Sequence, residues 1–371
     1  MTPPRVARSP LLAWTSLVPV LSVVVLALAW GRTLPPFVVG VVTALLAAAV
    51  LAAVHHAEVV AHRVGEPYGS LVLAVAVTVI EVALIVTLMI AGAGAAETLA
   101  RDTVFAAVIL TSNGIVGLSI LVGARTGSTV SFNAEGAGAS LATVATLATL
   151  SMVVPNFTTT SPGPVFSPPQ LAFAAITALA LYGLFVGLQT GRHRDYFLPV
   201  TADGTIIEDH ATPPSASATW GSLALLFVAL VGVVGNAKLV SPTIERGVIA
   251  AGLPISVVGV IIAILILSPE TVAALRAARR GRMQTSLNLA FGSAMASIGL
   301  TIPTIAVASI WLTGPLHLGL GANHIVLLAL TCIVTVLTVV PGRATLLQAG
   351  VHLALLAAYL FLAVSPCAGS G

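Results

Sequence analysis

Run after run of about twenty apolar residues, the length a helix needs to cross the hydrocarbon core of a bilayer, leaves this chain one solvent to fold in. Such runs fall at 11–31, 34–54, 68–92, 103–124, 137–155, 170–190, 220–239, 248–275, 286–311, 323–341 and 344–364. Only 7% of the 371 residues are charged and 58% are hydrophobic, whereas a soluble domain carries roughly 25% charged residues. The chain cannot cover itself for water, so membrane lipid is its expected surrounding. The net charge of +3 is no argument for a nucleic-acid partner. The expected fold is all-α: a polytopic membrane protein of about eleven transmembrane helices. Arg5 and Arg8 before the first run could belong to a signal peptide. The run is long for one, however, and no clear small-residue cleavage site follows. It reads as a retained first helix of a single membrane domain, 1–371. Cys332 and Cys367 suggest no disulfide framework.

The basic residues set the expected direction. With the N-terminus in the cytoplasm, 11 of the 15 Arg and Lys residues fall inside and 4 (Arg32, Arg101, Lys238, Arg246) outside, as the positive-inside bias requires. The C-terminus is then extracytoplasmic, in the plasma (inner) membrane of a bacterium. The longest break, Gly191–Thr219, carries Asp195, Asp203, Glu208, Asp209 and several prolines. It reads as a cytoplasmic surface loop, 191–219, between halves 34–190 and 220–364. A weak internal match supports the halves: 112–120 reads SNGIVGLSI and 294–302 reads AMASIGLTI. An offset of five helices inverts one copy relative to the other. The expectation is thus two inverted five-helix repeats after an N-terminal helix, an arrangement found in secondary transporters with a site near the midplane.

Most of the twelve carboxylates fall in loops or at span ends, Asp102 among them, but Glu81 and Glu270 lie within apolar spans. An acidic residue at a helix centre costs roughly 2.5–3.5 kcal/mol even on the insertion scale, which marks it as functional by default. Pro269 precedes Glu270 and should free the carbonyl of Leu265, and Pro303 that of Gly299. Carboxylate and carbonyl oxygens suit hard cations. Thr78 lies one turn before Glu81 on the same helix face. Asn113 must satisfy a whole amide, and Ser286, Ser293, Ser297 and Thr301 form one stripe. His55, His56, Glu58 and His62 read as an interfacial polar cluster rather than a metal motif, and His352 as a lone, hydrogen-bonded core histidine.

Several phrases resemble the calcium/cation antiporter superfamily, most closely its bacterial Cha-type calcium/proton antiporters. GEPYGSLVLAVAVTVIEVALI (65–85) and SNGIVGLSILVGA (112–124) are similar to that family's first repeat. SPETVAALRAARRGRMQTSLNLAFGSAMASIGLTIPT (268–304) is similar to its second, and QTGRHRDYF (189–197) also resembles a family phrase. The resemblance implies one essential glutamate per repeat, Glu81 and Glu270, as cation and proton ligands. It also implies polar helpers at Asn113, Ser293 and Ser297. Thr78 and Leu267 stand where related vacuolar-type exchangers carry asparagine.

The expected mechanism follows. Glu81 and Glu270 would face each other across the repeat interface, with Ca²⁺ and protons competing for the same oxygens. Burial and like charge both favour a neutral carboxyl, so the site crosses either protonated or cation-filled. Two carboxylates match one divalent ion. No cofactor is expected, and no enzyme activity, since an intramembrane enzyme would need a metal motif or a nucleophile–base pair at depth. A Na⁺(K⁺)/H⁺ antiporter on the same fold is the alternative.

Overall fold

The computed structural model describes residues 13–32, 34–65, 68–90, 96–125, 129–198, 214–311 and 314–365. Its helices are α1 (Trp14–Ala29), α2 (Pro36–Val64), α3 (Tyr68–Ile90), α4 (Ala96–Ile109), α5 (Val116–Gly123), α6 (Ala134–Ala148), α7 (Pro168–Thr190), α8 (Ala216–Ala250), α9 (Val257–Arg279), α10 (Met283–Ala308), α11 (Ala322–Val339) and α12 (Leu346–Val364). A π turn, Leu110–Ile115, joins α4 to α5 in one continuous span. Among the described residues nine helical spans are long and apolar enough to cross a membrane, and Trp14–Ala29 and Val75–Thr87 are shorter apolar helices. The fold is an all-α polytopic membrane fold. Phe37, Phe173, Ile176, Leu337 and Leu347 are exposed despite their size, as lipid-facing side chains should be.

Several helices outrun their apolar cores. The second extends to Val64, the eighth covers 216–250, and α4 begins at Ala96. Hydropathy marks the part of a helix that lies in hydrocarbon, while polar end turns remain helical beyond it. The short fifth span ends irregularly: α6 passes into a π turn, Thr149–Val153, and then a 3₁₀ turn, Val154–Phe157, that contains Pro155. Its start is fixed by Asn133, whose side-chain oxygen accepts from the backbone N–H groups of Glu135 and Gly136 at 2.9 and 3.1 Å, a regular N-cap. The tight join between the last two helices is a strand, β2 (Arg343–Thr345), paired antiparallel with β1 (Thr129–Ser131).

The helices form two compact units: Met1–Thr87 with Thr212–Ile244, and Leu88–Ala211 with Glu245–Gly371. In the first, α1 packs on α2. Gly232 and Gly235 of α8 admit Ser22 and Leu26 of α1 at positions a Cβ would fill, and Asn236 donates to the Ser22 carbonyl at 2.9 Å. In the second, α10 is central and packs on α4, α6, α7 and α9. Phe105, Ile115, Met152, Phe291, Met295 and Ile298 are fully buried there.

The matched nonapeptides make equivalent contacts within this second unit. A Cβ at Gly117 would lie 3.0 Å from the Cβ of His352 on α12, and one at Gly299 would lie 2.6 Å from the Cβ of Tyr182 on α7. Each glycine therefore seats a helix distant in the chain, α12 for Gly117 and α7 for Gly299. The loop phrase at 189–197 also folds back. Asn288 donates to the Phe197 carbonyl at 2.6 Å, and the Tyr196 carbonyl occupies the space beside Gly136. Asp203, Glu208 and Asp209 lie outside the described residues.

Candidate cation site

Thr78 and Glu81 sit one turn apart on α3, in the first unit. They are 5% and 4% exposed, and their neighbours Val77, Ile80, Val82, Leu84 and Ile85 are buried apolar side chains. A carboxylate so placed has little solvent to carry its charge.

The second unit holds Glu270, Asn113, Ser293 and Ser297. Glu270 is 6% exposed on α9, directly after Pro269. The Leu265 carbonyl that Pro269 deprives of its usual donor instead accepts from the Ser268 hydroxyl at 2.8 Å. A side chain one turn away thus mends the helix break locally. Ser297 is buried and Ser293 half-buried, one turn apart on α10. Ser286, lower on the same stripe, donates to Ser119 of α5 at 2.6 Å, so that hydroxyl serves helix packing. The π turn, α9 and α10 pack on one another. Glu270, the α10 serines and Asn113 therefore come from three mutually contacting segments.

Asn113 is fully buried in the π turn, where the backbone ladder slips by one residue and re-aims its side chains. Such turns are frequent at functional sites. Its Nδ2 donates to Thr331 Oγ1 of α11 at 2.9 Å, and its Oδ1 lies 3.0 Å from His352 Nδ1 of α12. The other ring nitrogen of His352 is 3.1 Å from Thr338 Oγ1. The expected core hydrogen bonding of His352 is present, but the residue is not alone. Neither His352 nor Thr331 stood out beside Asn113 in the sequence, because their segments lie far apart along it.

Asp102 was also hidden. It lies inside α4, 6% exposed, not in a loop. Its carboxylate accepts from Arg101 Nε at 2.8 Å and from the Thr98 hydroxyl at 3.1 Å, while Arg101 also donates to the Gly319 carbonyl at 3.2 Å. Its pairing within α4 assigns it to structure. The histidine cluster is helical throughout. His56 turns inward, its Nε2 2.9 Å from the Thr15 carbonyl. His55, Glu58, Val59 and His62 with Pro214 line a shallow cavity of about 270 Å³. No group of three or more His, Cys, Asp or Glu able to hold a metal is present among the described residues.

Residues 34–191 and 221–365 match the sodium/calcium exchanger protein family. A Sinorhizobium fredii (strain NBRC 101917 / NGR234) protein named as ionic transporter y4hA is 43% identical over 369 residues, 98% of each chain. An Escherichia coli K12 protein, named as the sodium-potassium/proton antiporter ChaA, is 35% identical over 353 residues, 93% of this chain and 95% of the relative. Among solved structures, the H⁺/Ca²⁺ exchanger CAX superposes with a TM-score of 0.70 at 17% identity, over 94% of this chain and 87% of that one. At that identity the likeness concerns the fold alone.

Proposed function

Since the chain belongs to the sodium/calcium exchanger family, we propose that it is a Cha-type secondary antiporter that exports Ca²⁺ in exchange for H⁺ by alternating access. The observation that carries this reading is the burial of Glu81 and Glu270, at 4% and 6% exposure, within apolar helices. Burial favours the neutral form of each, and a single divalent ion neutralises two carboxylates. Protons and Ca²⁺ then compete for the same oxygens. A doubly ionised empty site is too costly to carry through the cycle, and that penalty couples the two fluxes. Thr78, Asn113, Ser293 and Ser297 would supply neutral oxygens, the ligand type that Ca²⁺ takes alongside carboxylates. In the bilayer of a bacterial inner membrane, proton entry drives the cation out.

A second reading has its own support. The relative at 35% identity is named as a sodium-potassium/proton antiporter, and one carboxylate is enough for a monovalent ion. Everted vesicles containing this protein, assayed in parallel with Ca²⁺, Na⁺ and K⁺ under an imposed proton gradient, separate the two. Proton release on Ca²⁺ addition supports the first reading. A response confined to Na⁺ or K⁺ replaces it with the second.

A further inference from the structure

Inside a helix, a threonine hydroxyl can donate to the carbonyl one turn earlier. Thr271, Thr304 and Thr335 do so, at 2.7, 2.7 and 2.6 Å. Thr103 of α4 and Thr301 of α10 do not. Both are 0% exposed, and neither hydroxyl has a hydrogen-bond partner among the described residues. A buried polar group without a partner destabilises a fold, and valine would fill the same space with nothing to satisfy. Such a hydroxyl calls for an oxygen from outside the chain.

Three close contacts place the two hydroxyls at one level of the second unit. A Cβ on Gly259 of α9 would lie 3.1 Å from the Thr103 backbone nitrogen, and one on Gly123 of α5 would lie 3.6 Å from the Ala278 carbonyl oxygen of α9. α9 thus runs parallel to the α4–α5 span. The stretch from Thr103 to Gly123 is one residue longer than that from Gly259 to Ala278, the residue by which the π turn slips. α10 runs the other way. Its Ser286 donates to Ser119 of α5, and it packs on the π turn and α4 as well. Thr301 lies fifteen residues along α10 from Ser286, and Thr103 lies sixteen back along its span from Ser119, again a difference of one. Thr301 also continues the stripe of Ser293 and Ser297. Glu270 is eleven residues beyond Gly259 on α9, so its level, close to that of Asn113, is about 16 Å away at 1.5 Å per residue.

On the side away from Glu270, Thr103 adjoins Asp102 and Arg101, and the Arg101 side chain is 18% exposed. A hydroxyl both donates and accepts, and two polar partners are enough for a buried water. We propose that Thr103 and Thr301 together hold water that solvates the exchanged ions on a route between the Glu270 level and the polar end of α4. The inference rests on the transport reading above. It adds a route to the site, since neither threonine belongs to the proposed ligand set.

The test compares Thr103→Val and Thr301→Val, alone and together, with Thr103→Ser and Thr301→Ser. Maximal rate is read in everted vesicles, and the thermal unfolding midpoint in detergent. Valine keeps the shape and removes the hydroxyl, and serine keeps the hydroxyl. Each valine variant should transport about fivefold more slowly, as loss of a water ligand would bring, while its midpoint is unchanged or higher. The serine variants should stay near wild type. The double valine variant should be no slower than the slower single one, because hydroxyls that share one water are coupled. A wild-type rate in the valine variants overturns the inference. So does a slower rate with a lowered midpoint, which would make the hydroxyls structural, or a fully multiplicative double variant. If the valine variants fail to reach the membrane, Thr301→Cys decides, with Cys332 and Cys367 replaced by alanine. Modification by a small charged thiosulfonate is expected, and none overturns the route. Glu81→Gln and Glu270→Gln run alongside. If they transport normally the paired-carboxylate reading falls, while the threonine variants still judge the route. If they are inactive and the valine variants are normal, only the route falls.

Discussion

A glutamate midway along an apolar helix can be neutral in two ways, by holding a proton or by sharing a cation. Glutamine imitates the first state permanently and cannot enter the second. It keeps the size of Glu and one carbonyl oxygen, releases no proton and supplies no charge. Glu81→Gln and Glu270→Gln should therefore each abolish Ca²⁺/H⁺ exchange at normal protein level. Glu→Asp at either position should leave partial activity, since the charge survives and only its reach changes. Near wild-type Ca²⁺ exchange in Glu270→Gln beside an inactive Glu81→Gln would replace the pair with a site centred on Glu81. These two residues were legible in the sequence because a charge within an apolar run is visible in one dimension. Asp102 was not, since it stands at the edge of its run, where hydropathy cannot separate a buried pair from a snorkelling side chain. The partners of Asn113 were not legible either: His352 is 239 residues away, and a single sequence carries no signal across that distance.

At the level of helices, hydropathy located the spans but not their ends or interruptions. The π turn at Leu110–Ile115 differs from an α-helix by one residue of ladder slip, which composition does not record. Three-residue strands such as Arg343–Thr345 are too short to show a period. The glycines of the matched nonapeptides were visible as letters, but their function emerges only from what they seat. Gly299 and Gly117 permit close approach of α7 and α12, and the two contacts differ in tightness. A Cβ at Gly299 would meet the Tyr182 Cβ at 2.6 Å, against 3.0 Å for Gly117 and His352. A Cβ cannot swing aside as a side-chain tip can, so Gly299→Ala must move a helix. Overpacking of this kind costs about 1–3 kcal/mol. We expect Gly299→Ala to lower the thermal unfolding midpoint in detergent more than Gly117→Ala does. The reverse order would show that α12 is held more rigidly than α7.

For the whole molecule, the eleven crossings expected from hydropathy and the distribution of arginines together propose a direction. An odd number of spans would put the termini on opposite sides, and the positive-inside bias would place the N-terminus in the cytoplasm. A reporter fused after Gly371 should be extracytoplasmic and one inserted in 198–215 cytoplasmic. Finding both termini on one side would remove the inverted-repeat architecture along with the direction. The swapped seating of α12 against the π turn and α5 also bears on synthesis. The face that Gly117 and Asn113 present is complete only once His352 has been made. At about 5–20 residues per second, the interval of 239 residues leaves that polar face waiting on the order of 10–50 s. During that time the span that carries Asn113 and Gly117 lacks its packing partner, and a temporary neighbour in the insertion machinery is what we expect to shelter it.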